Sequence, residues 1–200
     1  MARPNGQIIS DPIEGNLFDT IEKTFKRVYN GWEGAGQFSG SGKRLRNLVE
    51  EMCWPSRKIE EEVSKCLQAV FADKYDEMLV TKFIEVWTLC PHHLLPCNFN
   101  VKIGYIPIGG VLGLSKFTRI SVTLGKRPIM QEQYTREVAD TLWEGLKPEG
   151  LGIYVIGKHG CMGCRGVNQP NVEVVTSTLR GSFKANHTVR EEFYAICRGV

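Results

Sequence analysis

The chain has 200 residues, 42% apolar and 24% charged, which suits one globular domain with or without a helical N-terminal extension. A formal net charge of +3, with Lys and Arg dispersed among Asp and Glu, is too small to imply a nucleic-acid partner. Seven cysteines, an odd number, argue against a complete disulfide framework and for a reducing compartment. The N-terminus lacks an apolar core of signal-peptide length, and no run approaches about 20 apolar residues, so a cytoplasmic protein with no membrane partner is expected.

In chain order, residues 1–15 carry Pro, Gly and Asn and read as a loose arm. Leu17, Ile21, Phe25, Val28 and Trp32 recur at helical spacing, which predicts an amphipathic helix. Gly34 to Gly42 reads as a Gly/Ser-rich linker. Leu45, Leu48, Val49 and Met52 suggest a second helix stopped near Pro55, and Arg57 to Phe71 a third. After Asp76 the character changes. Met78 to Leu89 is rich in β-branched and aromatic residues and reads as a strand. Asn98 to Ile108, with Phe99, Val101, Ile103 and Tyr105 alternating, reads as its hairpin partner. Ser115–Lys126 and Pro128–Leu146 read as helices, with Pro128 at a first-turn position. Strands near 151–160 and 171–180 and a helix from about Thr188 to Arg198 complete the chain. The expected fold is α+β: an N-terminal arm and helices over 1–74, then a ββααββ antiparallel sheet over 75–200. A sheet this small has open edges, and pairing of subunits edge to edge would remove them.

Cys90-Pro91-His92-His93 follows the first strand, and His159-Gly160-Cys161 follows the third. Thiolates and imidazoles together suit Zn²⁺. Two arrangements are open, beside the reading in which no metal binds. Cys90, His93, Cys161 and Cys164 could close a four-ligand structural site, or three ligands could leave a position for reacting water, with spare histidines free to carry protons. If the strand over Leu151–Ile156 continues, alternation puts His159, Cys161, Gly163 and Arg165 on one face and turns Cys164 to the other as a buried small hydrophobe. That favours the catalytic arrangement.

Several motifs are co-linear with a known family. Cys90-x-His92-His93-Leu94-Leu95-Pro96, Ile103-Gly104-Tyr105-Ile106-Pro107 and Leu112-Gly113-Leu114-Ser115-Lys116-x-x-Arg119-Ile120 resemble GTP cyclohydrolase I. So do Arg127-Pro128-x-x-Gln131-Glu132, His159-x-Cys161-x-x-x-Arg165-Gly166-Val167 and Thr176-Ser177-Thr178-Leu179-Arg180-Gly181-x-Phe183. The resemblance covers roughly residues 75–198. It implies a T-fold, whose helices lie on one face of the sheet and whose sheets join across subunits into a barrel. It also implies a homo-oligomeric ring, commonly a decamer, with active sites at subunit boundaries. The implied reaction converts GTP and water to 7,8-dihydroneopterin triphosphate and formate.

By the same resemblance Cys90, His93 and Cys161 are the zinc ligands, and His92 and His159 the acid–base pair. The chemistry agrees: C8 of guanine is a poor electrophile that needs a metal-activated water, and ring opening leaves nitrogens that need a proton donor. His92 could instead merely orient His93 through a hydrogen bond. Glu132 is implied as the guanine reader, since a carboxylate can accept from both N1–H and the 2-amino group; Gln131 stands beside it. Taken alone, Glu132 would read as a first-turn helix glutamate stabilised by the macrodipole. Ser115, Lys116, Arg119 and Arg165 are implied as the triphosphate cradle, against the plainer reading of a solvated basic helix face. Gly109-Gly110 reads as a hairpin turn or exit, because no phosphate-loop pattern surrounds it.

The chain departs from the family pattern at Pro91, where Glu is usual, and a Thr-Pro-x-Arg segment before the sheet is not legible. Rival readings are a T-fold relative acting on another purine, a hydrolase stopping after ring opening, and a zinc-stabilised subunit without catalysis. A nitrile reductase would need a cysteine nucleophile and a nicotinamide cofactor, which the Cys/His/Cys set disfavours. The product could feed folate, biopterin or deazaguanine-nucleoside synthesis.

Overall fold

The computed structural model describes residues 16–199, so the arm read over residues 1–15 lies outside them. The chain divides into two compact units, one ending at Pro55 and the other beginning at Ser56. In the first, helix α1 (Asn16–Val28) is followed by a 3₁₀ turn (Glu33–Phe38) and helix α2 (Ser41–Met52). The stretch from Gly34 to Gly42 is therefore structured and not a linker. It is fixed by Glu22, whose carboxylate accepts from the Gly40 and Gly42 amides at 3.1 and 3.0 Å. The apolar stripe of α1 does not form a core: Leu17, Phe25, Val28 and Trp32 are exposed, and Phe18 is the buried residue. Phe25 and Tyr29 stack on Phe38 with ring centroids 5.5 and 5.7 Å apart.

The second unit opens with helix α3 (Ser56–Leu67). It ends before Val70 and Phe71, which form a short strand β1 paired with β4 (Val111–Leu112). The main strands are β2 (Leu79–Leu89), β3 (Pro96–Ile106), β5 (Gly150–His159) and β6 (Val174–Gly181). They form one sheet in the order β2-β3-β5-β6, antiparallel throughout. Between β3 and β5 the chain runs through α4 (Leu114–Leu124) and α5 (Gln131–Leu146). This is the ββααββ antiparallel sheet expected of a T-fold subunit, preceded by N-terminal helices. Pro128 lies outside α5; it bridges Leu89, and the Ile129 amide donates to the Leu89 carbonyl at 3.1 Å.

Alternation along the strands builds the core. Phe99, Val101, Ile103 and Tyr105 of β3 and Ile153 and Val155 of β5 are buried, as are Phe117 and Ile120 of α4 and Tyr134, Val138 and Leu142 of α5. Beyond β6, α7 (Ser182–Ala185) and α8 (His187–Arg198) cover the other face at one end of the sheet. Gly104 and Gly152, paired across β3 and β5, make room there: a Cβ on either would come within 2.6–2.7 Å of the Phe193 ring. At the opposite end that face carries Trp87, 56% exposed, and Val175, 51% exposed. Among the described residues no helix is long and apolar enough to cross a membrane.

Candidate metal centre and active site

Strand register delivers the site. β2 ends at Leu89, directly before Cys90, and β3 restarts at Pro96. The loop between them is closed by backbone bonds from Leu94 N to Cys90 O, 2.8 Å, and from Cys90 N to Leu95 O, 2.9 Å. That turn turns Cys90 inward and leaves His92 and His93 at its surface. From the other side β5 ends at His159, and a single helical turn α6 (Gly160–Gly163) follows, carrying Cys161. One ligand atom each from Cys90, His93 and Cys161 lie within 4.8 Å of one another. Cys90 Sγ is 3.5 Å from His93 Nδ1 and 3.9 Å from His92 Nδ1. Two thiols and an imidazole at this spacing form a donor set that could hold a metal ion, and its softness fits zinc.

The helical turn overturns the alternation argument for this segment. The strand stops at His159, so Cys161 reaches the centre by helical geometry and not by period two. Cys164 is not a buried hydrophobe. It is exposed, and its thiol donates to the Gly160 carbonyl at 3.0 Å. Among the described residues the clustered donors are Cys90, His93 and Cys161, without Cys164.

His159 lies on the face of the sheet that packs against α5, paired with Cys97 in the β3–β5 ladder. Its Nδ1 is 3.3 Å from Cys97 Sγ and its Nε2 2.8 Å from Gln131 Oε1. The Phe99 ring lies 5.7 Å away, centroid to centroid. Burial holds the His159 imidazole below its ordinary pKa, and the nearby Glu132 carboxylate pulls it partly back. Glu132 itself is exposed in the first turn of α5. Gln131 is 1% exposed, and its amide nitrogen is within reach of Val174 O at 2.9 Å, Thr176 Oγ1 at 3.1 Å and Val155 O at 3.3 Å. Burial also pushes the Cys161 thiol upward, reinforced by the Cys90 thiol and opposed in part by Arg165. The Cys97 thiol is pushed up to about 11, chiefly by burial. Cys97 and Thr135 were not singled out by sequence reasoning, and Thr176 stood only within a motif, with no role given to it. For Cys97 a signal existed, because it continues the odd-numbered series of β3; its meeting with His159 depends on the β3–β5 register.

The implied phosphate residues divide. Arg165 is exposed just after α6, close enough for its charge to act on Cys161. Ser115, Lys116 and Arg119 occupy the first two turns of α4, at the other end of the sheet. There the Leu112 amide donates to Tyr105 Oη at 3.1 Å, and Phe117 packs on the Tyr105 ring at 5.1 Å. Tyr105 stands eight residues along β3 from Cys97, about 27 Å at strand rise. One chain therefore does not bring these three residues to its own metal centre.

Residues 21–198 match the family model of GTP cyclohydrolase I. The chain belongs to this family. The match begins inside α1, so it takes in the N-terminal helices that the motifs alone did not connect. The GTP cyclohydrolase 1 of Pelotomaculum thermopropionicum is 35% identical over 161 residues, 80% of this chain and 84% of that one. That of Chromohalobacter salexigens is 40% identical over 189 residues, 94% of this chain and 90% of that one. The human GTP cyclohydrolase 1 is 41% identical over 140 residues, 70% of this chain and 56% of that one. As a GTP cyclohydrolase I the chain is an enzyme, and its family implies GTP as substrate.

Proposed function

We propose that this GTP cyclohydrolase I is zinc-dependent and converts GTP to 7,8-dihydroneopterin triphosphate and formate. The observation that carries the reading is the gathering of Cys90, His93 and Cys161 within 4.8 Å, beside His159 and Glu132, in a chain of this family. A zinc ion held by those three residues would make water nucleophilic at neutral pH for attack on C8. Glu132, exposed beside His159, reads the guanine edge by accepting from N1–H and the 2-amino group. His159 delivers a proton to the purine nitrogen released when the imidazole ring opens. His92, exposed next to Cys90, moves protons in the later sugar isomerisation and ring closure. The side chain of Gln131 is spent on β5, β6 and His159, so Glu132 carries the guanine contact without it.

The triphosphate needs cations, and of the residues implied for it Arg165 stands at the metal end. We infer that Ser115, Lys116 and Arg119 of a second copy complete the cradle, in a homo-oligomeric ring whose sheets join edge to edge. The division of the implied phosphate residues between the two ends of the sheet supports this. So do the exposed Trp87 and Val175 on its outer strands.

Incubation of the zinc-loaded protein with GTP, following formate and the fluorescence of the oxidised pterin, tests the reading. Formate and pterin in equal amounts are expected. Formate alone would mean a hydrolysis that stops at ring opening, with Pro91 the first residue to revert to Glu. Neither product would remove the reading.

A further inference from the structure

Both ring nitrogens of His159 are engaged by the protein itself, and the partners dictate which nitrogen carries the proton. The amide of Gln131 can point only one way. Its Nε2 is surrounded by acceptors, Val174 O at 2.9 Å, Thr176 Oγ1 at 3.1 Å and Val155 O at 3.3 Å, so its Oε1 faces His159. Thr176 is in turn 2.7 Å from Thr135 Oγ1, which donates to the Gln131 carbonyl at 2.8 Å. Gly157 gives the glutamine its place, since a Cβ there would collide with Gln131 Oε1. An Oε1 only accepts, so His159 Nε2, 2.8 Å away, must bear hydrogen. In the neutral imidazole Nδ1 is then an acceptor, and the group 3.3 Å from it is the Cys97 thiol, whose other acceptor, the Leu95 carbonyl, is farther away at 3.9 Å. Phe99 closes one face of the ring at 5.7 Å.

We propose that Cys97 and Gln131 clamp His159 at its two ring nitrogens and hold it as the single tautomer with hydrogen on Nε2. They are positioning residues: neither is required to touch GTP. The consequence for turnover rests on the proton-transfer role proposed above for His159, whereas the clamp itself does not. With the Nε2 hydrogen committed to Gln131, Nδ1 is the nitrogen that takes up and gives the transferred proton, in a ring already oriented, and outer partners of this kind are worth about 10–100-fold where they have been removed from other histidine sites.

The test is solid-state ¹⁵N NMR of the zinc-loaded protein labelled at its four histidines, with the His159 signal assigned by its loss in His159→Asn. The expected spectrum has a protonated Nε2 and a bare Nδ1 for His159, and no second form. In Gln131→Met, which removes the acceptor facing Nε2, a mixture of tautomers is expected, whereas Gln131→Glu, which keeps an acceptor there, should retain the single form. Cys97→Ala should keep hydrogen on Nε2 but lower kcat about ten-fold with KM for GTP unchanged, and Cys97→Ser should recover it. A wild-type spectrum with hydrogen on Nδ1, or with both tautomers, overturns the clamp, as does a single Nε2 tautomer retained in Gln131→Met. If the tautomer behaves as expected while kcat stays constant, the clamp stands and the proton-transfer role of His159 falls.

Discussion

His159 and Cys161 are two residues apart in sequence and do different work, and their environments already separate them. Cys161 lies among the clustered donors, while His159 is turned toward α5 and held below its ordinary pKa by burial. His159→Ala should therefore retain one equivalent of zinc while formate release falls by about 10²-fold or more; metal analysis beside a formate assay measures both. Cys161→Ala should lose zinc and activity together. Cys164→Ala should lose neither, because that thiol is exposed and bonded to a backbone carbonyl of its own turn. Zinc loss in Cys164→Ala would restore the four-ligand structural site. The donor set was legible as a spacing pattern. Its closure was not, because the four-residue turn Gly160–Gly163, half glycine, carries no periodicity that distinguishes helix from continuing strand.

At the scale of elements, long periodic segments were readable and short ones depended on distant partners. The alternation over Phe99 to Tyr105 and the helical spacing through α5 each reflect one buried face, which is a local property of the sequence. Val70 and Phe71 look like the end of α3, yet their conformation is decided by pairing with Val111 and Leu112, some 40 residues away. Pro128, which suits a first helical turn, is drawn out of α5 by its bridge to Leu89. The α1–α2 connection is held by a carboxylate whose role no pattern displays. Lys26 and the Gly42 and Gly40 amides hold the Glu22 pKa down to about 2 from its ordinary 4.5. A depressed folded pKa means that the unfolded chain takes up the proton first, so this contribution is whole above about pH 4.5 and is lost as pH falls toward 2. Glu22→Gln should flatten the acid limb of a pH-dependent thermal melt. The Gly104–Gly152 pair makes a packing prediction. Gly152→Val should destabilise by about 1–3 kcal/mol in denaturant titration, because Phe183 and Phe193 lie where the new side chain would go.

For the whole molecule, the decisive feature is that the groups implied in one reaction stand at two ends of one sheet. Cys90, His93, Cys161, His159, Glu132 and Arg165 belong to one end, and Ser115, Lys116 and Arg119 lie on the first two turns of α4, which starts beside Tyr105, about 27 Å along β3 from Cys97. Sequence motifs state which residues belong together in a family, but not whether one chain or two must supply them, since that depends on strand direction and length. Mixed assembly tests the division of the site most directly. Subunits carrying His159→Ala are co-expressed with subunits carrying Lys116→Glu and Arg119→Glu, and GTP turnover of the mixed oligomers is compared with each variant alone. A site shared between copies predicts recovery to about a quarter of wild-type turnover at equal mixing, since each half of a site is intact in half the subunits. Mixed oligomers as inactive as either parent would contradict it, and would require all of these residues to act within one chain.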